Sequence, residues 1–145
     1  VGRRVIRLRV RVLNMSEPRM YLVVNESLSM GKGKVAGQVG HAVSAMVRRM
    51  ERGGRSEAYR RWVDGLETKI VVRAPSNVFL KLCSDFPAPE MTLFQDSPKG
   101  SFDVFGLAIR DAAKTQIPAD SLTVLVFPPL DESLIPSELK MLKLL

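Results

Sequence analysis

The sequence predicts an α/β layered domain built on a mostly parallel or mixed sheet. Short apolar runs rich in β-branched residues, each closed by turn formers, alternate with segments whose apolar residues recur at helical spacing. The 145-residue length suits one domain with a core of its own.

The opening VGRRVIRLRVRVLN alternates arginine with valine or leucine from Arg7 to Val12. That pattern fits an edge strand, and its Arg-rich, acid-poor character equally fits a transit peptide. Residues 1–19 are therefore expected to be a basic extension, disordered or targeting, with Met15 or Met20 starting the folded module. MYLVVNESL (20–28) predicts a buried strand ending in polar turn formers. From 33 to 51, Val35, Val39, Ala42, Val43, Met46 and Met50 mark one face of a helix.

SEAYRRWVDG (56–65) predicts a second, short helix stopped by Gly65. TKIVVRA is the next strand, and Ser76 begins a helix, SNVFLKLCSDF, ended by Pro87. EMTLFQD and DVFGLAIRD read as strands around the turn SPKGS, and SLTVLVF as the last strand, closed by Pro128 and Pro129. The folded domain is expected over 20–130. The tail 131–145 shows helical spacing at Leu134, Leu139, Leu142 and Leu145.

Composition narrows the function classes. No apolar run approaches the roughly 18 residues of a membrane span. Cys83 is the only cysteine, which excludes an internal disulfide framework and a cysteine-based zinc site; it is expected as a small core residue on a helix. This composition is compatible with a reducing, intracellular setting. The net charge of +7 is unevenly spread: residues 1–19 carry +5, residues 20–61 carry +5 and residues 62–145 carry −3. Such asymmetry favours a polyanionic partner on one side of the fold.

The stretch SMGKGKVAGQVGHAVSAMVRRM (29–50) leads from a glycine–lysine entrance into the first helix. It is not a Walker loop, because Lys34 is followed by Val35 and Gly31 and Gly33 are too close together. It is not a dinucleotide loop either, since Ala36 stands where the third glycine is needed. What remains is a helix start whose amides attract anions, with Lys32 and Lys34 adding charge where the dipole is already positive. Helix stability does not ask for cations there, so the conflict points to function. Lys34, Gln38 and His41 fall within roughly 60° of one another and roughly 120° from the centre of the apolar stripe, where they can border a cleft. In IRDAAKTQI (109–117), Asp111 ends an apolar strand and Thr115 follows four residues on. Ligands in open α/β sheets bind beyond the carboxyl ends of strands, so the two constellations can converge. An Asp capping a turn is the plainer alternative for Asp111.

The segments YLVVN…MGKGKVAGQVGHA, TKIVVRA, IRDAAKTQI and LTVLVFPP occur in the order seen in type 2 peptidyl-tRNA hydrolases, the archaeal and eukaryotic kind. Over residues 20–129 the chain resembles that family. The resemblance implies a single-domain layered sandwich: a mixed, mostly parallel four-stranded sheet with helices on both faces, and room for an extra strand in 90–110. It also implies hydrolysis of the ester joining a peptide to the terminal ribose of tRNA, with no metal or other cofactor. Lys34, Asp111, Thr115 and Thr123 fall on the family's catalytic positions and Gln38 and His41 on its helix pattern; Lys32, Gln38, His41 and Gln116 are the substrate-binding candidates. Two departures stand out: Ala113 where the family commonly has glycine, and the ending VFPPL in place of a glycine-containing segment.

Within this reading Asp111 orients or deprotonates the attacking water, Thr115 positions it, and Lys34 stabilises the oxyanion. Arg48, Arg49, Arg52 and Arg55 are candidates for contacts to tRNA phosphates. The expected partner is tRNA, with no membrane; a homodimer is allowed. The expected location is cytoplasmic, with organellar import an option opened by the Arg-rich start. The competing reading is a catalytically weak RNA- or protein-binding module on the same fold.

Overall fold

The structure, a computed structural model, describes residues 17–53, 55–86, 107–110 and 122–145, with backbone alone for 107–110. Its strands are β1 (Met20–Asn25), β2 (Lys69–Ala74), β3 (Leu107–Arg110), β4 (Leu122–Val126) and β5 (Lys143–Leu144). Its helices are α1 (Lys32–Arg52), α2 (Glu57–Val63), α3 (Ser76–Asp85) and α4 (Ser137–Lys140), with 3₁₀ turns at Glu26–Leu28 and Glu132–Leu134. The expected segment EMTLFQD lies outside the described residues, and DVFGLAIRD is described only as β3.

The sheet runs β3-β4-β1-β2-β5. Among the described residues it is mixed, with four main strands and a two-residue edge strand, and the mostly parallel expectation is met in part. Within the described residues, only β1 and β2 pair in parallel, from Met20↔Lys69 to Asn25↔Ala74. The β1–β4, β2–β5 and β3–β4 pairs are antiparallel. These registers make β1, β2 and β3 run in one direction, as strand–helix alternation suggests, with β4 inserted the other way between β3 and β1. Alternation reveals that a crossover is possible, as α1 and α2 provide between β1 and β2. It does not reveal which strand ends up beside which.

Every residue of β1 is buried, as a central strand covered on both faces requires. Met20, Leu22 and Val24 pack against Ala42, Ala45, Met46 and Met50 of α1 and Tyr59 and Trp62 of α2. Tyr21 and Val23 belong to the opposite core, with Phe79 and Leu82 of α3 and Leu139 of α4. Helices therefore cover both faces. Cys83 is half-buried on α3 against this second core, and burial pushes its thiol pKa up.

Local chemistry explains the element boundaries. Ser56 caps α2 by accepting from the Tyr59 amide at 3.1 Å. Gly65 follows that helix because an added Cβ would lie 2.7 Å from the Arg61 carbonyl oxygen. The tail is not one helix: Ile135 and Leu139 are buried, whereas Leu134 and Leu145 are exposed, and β5 pairs with β2. Arg61 donates to both carboxylate oxygens of Asp131 at 2.7 Å, joining α2 to the segment that leads into the tail.

Candidate active site

One end of the sheet gathers the carboxyl ends of β1, β2 and β3 and the amino end of β4. The chain leaves β1 through the 3₁₀ turn, passes Ser29 in the left-handed region (φ 50°), and enters α1 at Gly31. Gly31 is the N-cap with extended backbone (φ −67°, ψ 163°), a residue with no side chain of its own to cap the helix. The first turn contains no acidic residue. Its charge comes from Lys32, which is exposed, and Lys34, which is half-buried.

One turn further in, Gln38 is buried and reaches β4. Thr123 Oγ1 donates to Gln38 Oε1 at 2.8 Å, with the two residues 0% and 6% exposed. Because this bond uses the hydroxyl's only proton, the Thr123 oxygen can only accept from a further group in this arrangement. The polar row read from helical spacing therefore straddles the edge of the core: Gln38 inside, Lys34 at the boundary and His41 exposed.

The start of β4 is irregular where this contact forms. Along β3, Ile109 faces Val124 but the next residue, Arg110, faces Leu122, so the register steps over Thr123. Such β-bulges re-aim a side chain and recur beside active sites. Asn25, the last residue of β1, adds a link that periodicity did not suggest. Its Nδ2 donates to the Leu122 carbonyl at 3.2 Å, and its Oδ1 accepts from the Ser27 amide at 3.3 Å. The only sequence signal was a polar residue closing the run YLVV.

Asp111, Thr115 and Gln116 lie outside the described residues. The arginines divide. Arg48 and Arg52 are exposed near the end of α1, whereas Arg49 is 3% exposed and lies in the interior. Its burial follows from the helix: residue 49 shares a face with Ala42, Ala45 and Met46, so its stem follows the core. Burial lowers the Arg49 pKa to about 10. Arg55 is paired with Glu51 at 2.6 Å. Hydrogen bonds to Glu51 from Arg55, and then from Tyr59, hold that carboxyl below its ordinary range.

Among the described residues, no three His, Cys, Asp or Glu side chains gather to hold a metal, and no helix is long and apolar enough to cross a membrane. The family model described as peptidyl-tRNA hydrolase PTH2 matches residues 18–94. A peptidyl-tRNA hydrolase of Saccharolobus islandicus (strain L.S.2.15 / Lassen #1) is 35% identical over 120 residues, covering 81% of this chain and 90% of the relative. The chain belongs to the peptidyl-tRNA hydrolase PTH2 family.

Other members of the peptidyl-tRNA hydrolase PTH2 family match over a similar span. A probable peptidyl-tRNA hydrolase 2 of Drosophila melanogaster is 38% identical over 77% of this chain and 53% of its own length. A human protein named peptidyl-tRNA hydrolase 2, mitochondrial, is 34% identical over 78% of this chain and 56% of its own length. The chain thus spans about half the length of these two animal relatives. The family match includes α1 with Lys34, Gln38 and His41, and ends before β3.

Proposed function

We propose that the chain hydrolyses the ester bond of peptidyl-tRNA, releasing peptide and free tRNA. The observation that carries this reading is the buried Thr123–Gln38 contact beside the lysine-bearing start of α1. It lies at the sheet end where β3 stops at Arg110, immediately before Asp111 in the chain. A site of this kind needs a base for water, a donor for the developing oxyanion and groups that fix the substrate.

Asp111 takes the proton from the attacking water, and Thr115 orients that water. The Thr123 oxygen, whose O–H donates to Gln38, accepts a hydrogen bond from the same water or from a substrate hydroxyl. Lys34 offers its ammonium to the carbonyl oxygen as negative charge forms there, supported by the positive end of the α1 dipole. The base then returns the proton to the ribose oxygen as the ester carbon–oxygen bond breaks. Water is the nucleophile, so no covalent acyl-enzyme is required.

Lys32, His41 and Gln116 contact the acceptor end of the tRNA, and Arg48 and Arg52 the phosphates further along. The buried Arg49 contributes to α1 packing in this reading, not to phosphate contact. The Arg-rich residues 1–19 fit an import signal, and a human relative is named mitochondrial. We therefore hold organellar delivery beside a cytoplasmic location, and fractionation of tagged protein distinguishes them.

The test is single-turnover release of peptide from a purified peptidyl-tRNA. The wild-type chain is expected to release it, and Asp111→Asn to slow release by at least roughly 10²-fold, within the range for loss of a general base. A folded wild-type chain that leaves the ester intact overturns the assignment. Unchanged release by folded Asp111→Asn removes that residue from the role of base.

A further inference from the structure

The contact between Thr123 and Gln38 depends on where the first residues of β4 lie, and their backbone departs from a regular ladder. β1 pairs with β4 from Leu22↔Val126 to Val24↔Val124. On the other side, the β3 register passes from Val124 directly to Leu122. Thr123 is therefore the residue at which β4 shifts between its two neighbours. A bulged residue takes its side-chain direction from how the flanking backbone is held.

Asn25 holds that flank. It is 7% exposed, and its Nδ2 donates to the carbonyl of Leu122, the residue preceding Thr123, at 3.2 Å. Its Oδ1 accepts from the Ser27 amide at 3.3 Å, within the turn that leads to Gly31 and the lysines. A side-chain amide suits this position because it offers a donor to one strand and an acceptor to the turn. Asp keeps the acceptor but sets a second oxygen against the Leu122 carbonyl; Ala removes both contacts. Ser27 Oγ in turn accepts from the Ser76 amide at 2.7 Å, a neighbouring bond that does not involve Leu122.

We propose that Asn25 is a positioning residue for hydrolysis: by fixing the Leu122 carbonyl it holds the bulge that aims the Thr123 hydroxyl at Gln38. The functional half rests on the peptidyl-tRNA hydrolase reading; the geometric half does not. Asn25 acts through Thr123 and contacts no reacting atom.

Two measurements on the full chain test it. In the first, the Thr123 methyl resonance is followed by NMR in wild type, Asn25→Asp and Ser27→Ala. The signal is expected to move in Asn25→Asp and to stay in place in Ser27→Ala. In the second, peptidyl-tRNA hydrolysis is measured for Asn25→Asp in the wild-type and Thr123→Val backgrounds. The expected result is a roughly tenfold fall in kcat with KM nearly unchanged in the first background, and less than a twofold fall in the second, because the residue it positions is already gone. An unmoved Thr123 signal in folded Asn25→Asp overturns the proposal, as does an equal fall in both backgrounds or a change confined to KM. If Asn25→Asp does not fold, Asn25→Ala is read by the same two measurements. A wild-type chain without hydrolytic activity defeats the functional reading alone, and the methyl signal still decides whether Asn25 holds Thr123.

Discussion

At the scale of single residues, the Thr123–Gln38 bond illustrates how a buried polar pair constrains a site. Each partner sits where water has little access, so removing one takes away a hydrogen bond that water does not readily replace. Thr123→Val, which keeps the shape and deletes the hydroxyl, is expected to cost about 1–3 kcal/mol in urea unfolding. Replacing both partners, as in Gln38→Leu with Thr123→Val, is expected to recover part of that loss because neither polar group then remains buried. A double variant at least as unstable as the sum of the two singles counts against direct coupling. Helical spacing was enough to place Lys34, Gln38 and His41 on one polar row. It could not say that Gln38 turns inward, because its partner Thr123 is 85 residues away in the chain. Asn25 was hidden for the same reason: its link to Leu122 spans 97 positions. Contacts fixed by strand neighbours leave no local period to read.

Among the elements, α1 is the one whose boundaries sequence pattern came closest to describing. The observed helix, Lys32–Arg52, differs from the expected 33–51 by one residue at each end. It contains glycines that its packing does not explain. Among the described residues, a Cβ added at Gly37 or Gly40 meets nothing within 4 Å. Glycine inside a helix is less favourable than alanine by about 1 kcal/mol. Gly40→Ala is therefore expected to raise stability by about 0.5–1 kcal/mol, with a rise in Tm of about 1–4 °C. If tRNA affinity falls at the same time, the bare helix surface serves close approach of the substrate; unchanged affinity locates the substrate elsewhere.

The far end of α1 carries a different device. Glu51 accepts from Arg55 at 2.6 Å and from the Tyr59 hydroxyl at 2.8 Å, tying the helix to α2. Its pKa is lowered in the folded state, first by the Arg55 hydrogen bond. A depressed carboxyl pKa means that the contribution is present above the unfolded value and is lost as pH falls through the folded one. The Tm difference between wild type and Glu51→Gln should accordingly shrink as pH drops below the ordinary value of 4.5. A constant difference across that range would show that the carboxylate charge is not what matters. The tail was the least legible element: a two-residue strand such as β5 exists only because the edge of β2 is there to receive it.

Over the whole molecule, the sequence disclosed that positive charge is concentrated in the first 61 residues, but not which arginines face solvent. Arg48 and Arg52 are exposed at one end of α1, Arg49 lies in the interior and Arg55 is paired with Glu51. Counterion release makes log affinity for a nucleic acid fall linearly with log salt, with a slope of roughly 0.7–0.9 per phosphate contacted. If Arg48 and Arg52 each meet one phosphate, changing both to Ala should reduce the magnitude of that slope by about 1.4–1.8. Arg49→Met should leave the slope unchanged, because a guanidinium inside the core displaces no counterions from tRNA. The competing source of attraction is the arginine-rich start of the chain. Arg19 must be retained in that test, since its backbone exchanges two 3.0 Å hydrogen bonds with Leu130. Removing residues 1–16 therefore separates the two sources without cutting into this bridge. A truncated chain that keeps most of its salt slope, together with a shallow slope in the Arg48/Arg52 double variant, assigns tRNA attraction to the end of α1. Loss of both affinity and slope on truncation assigns it to the basic extension instead.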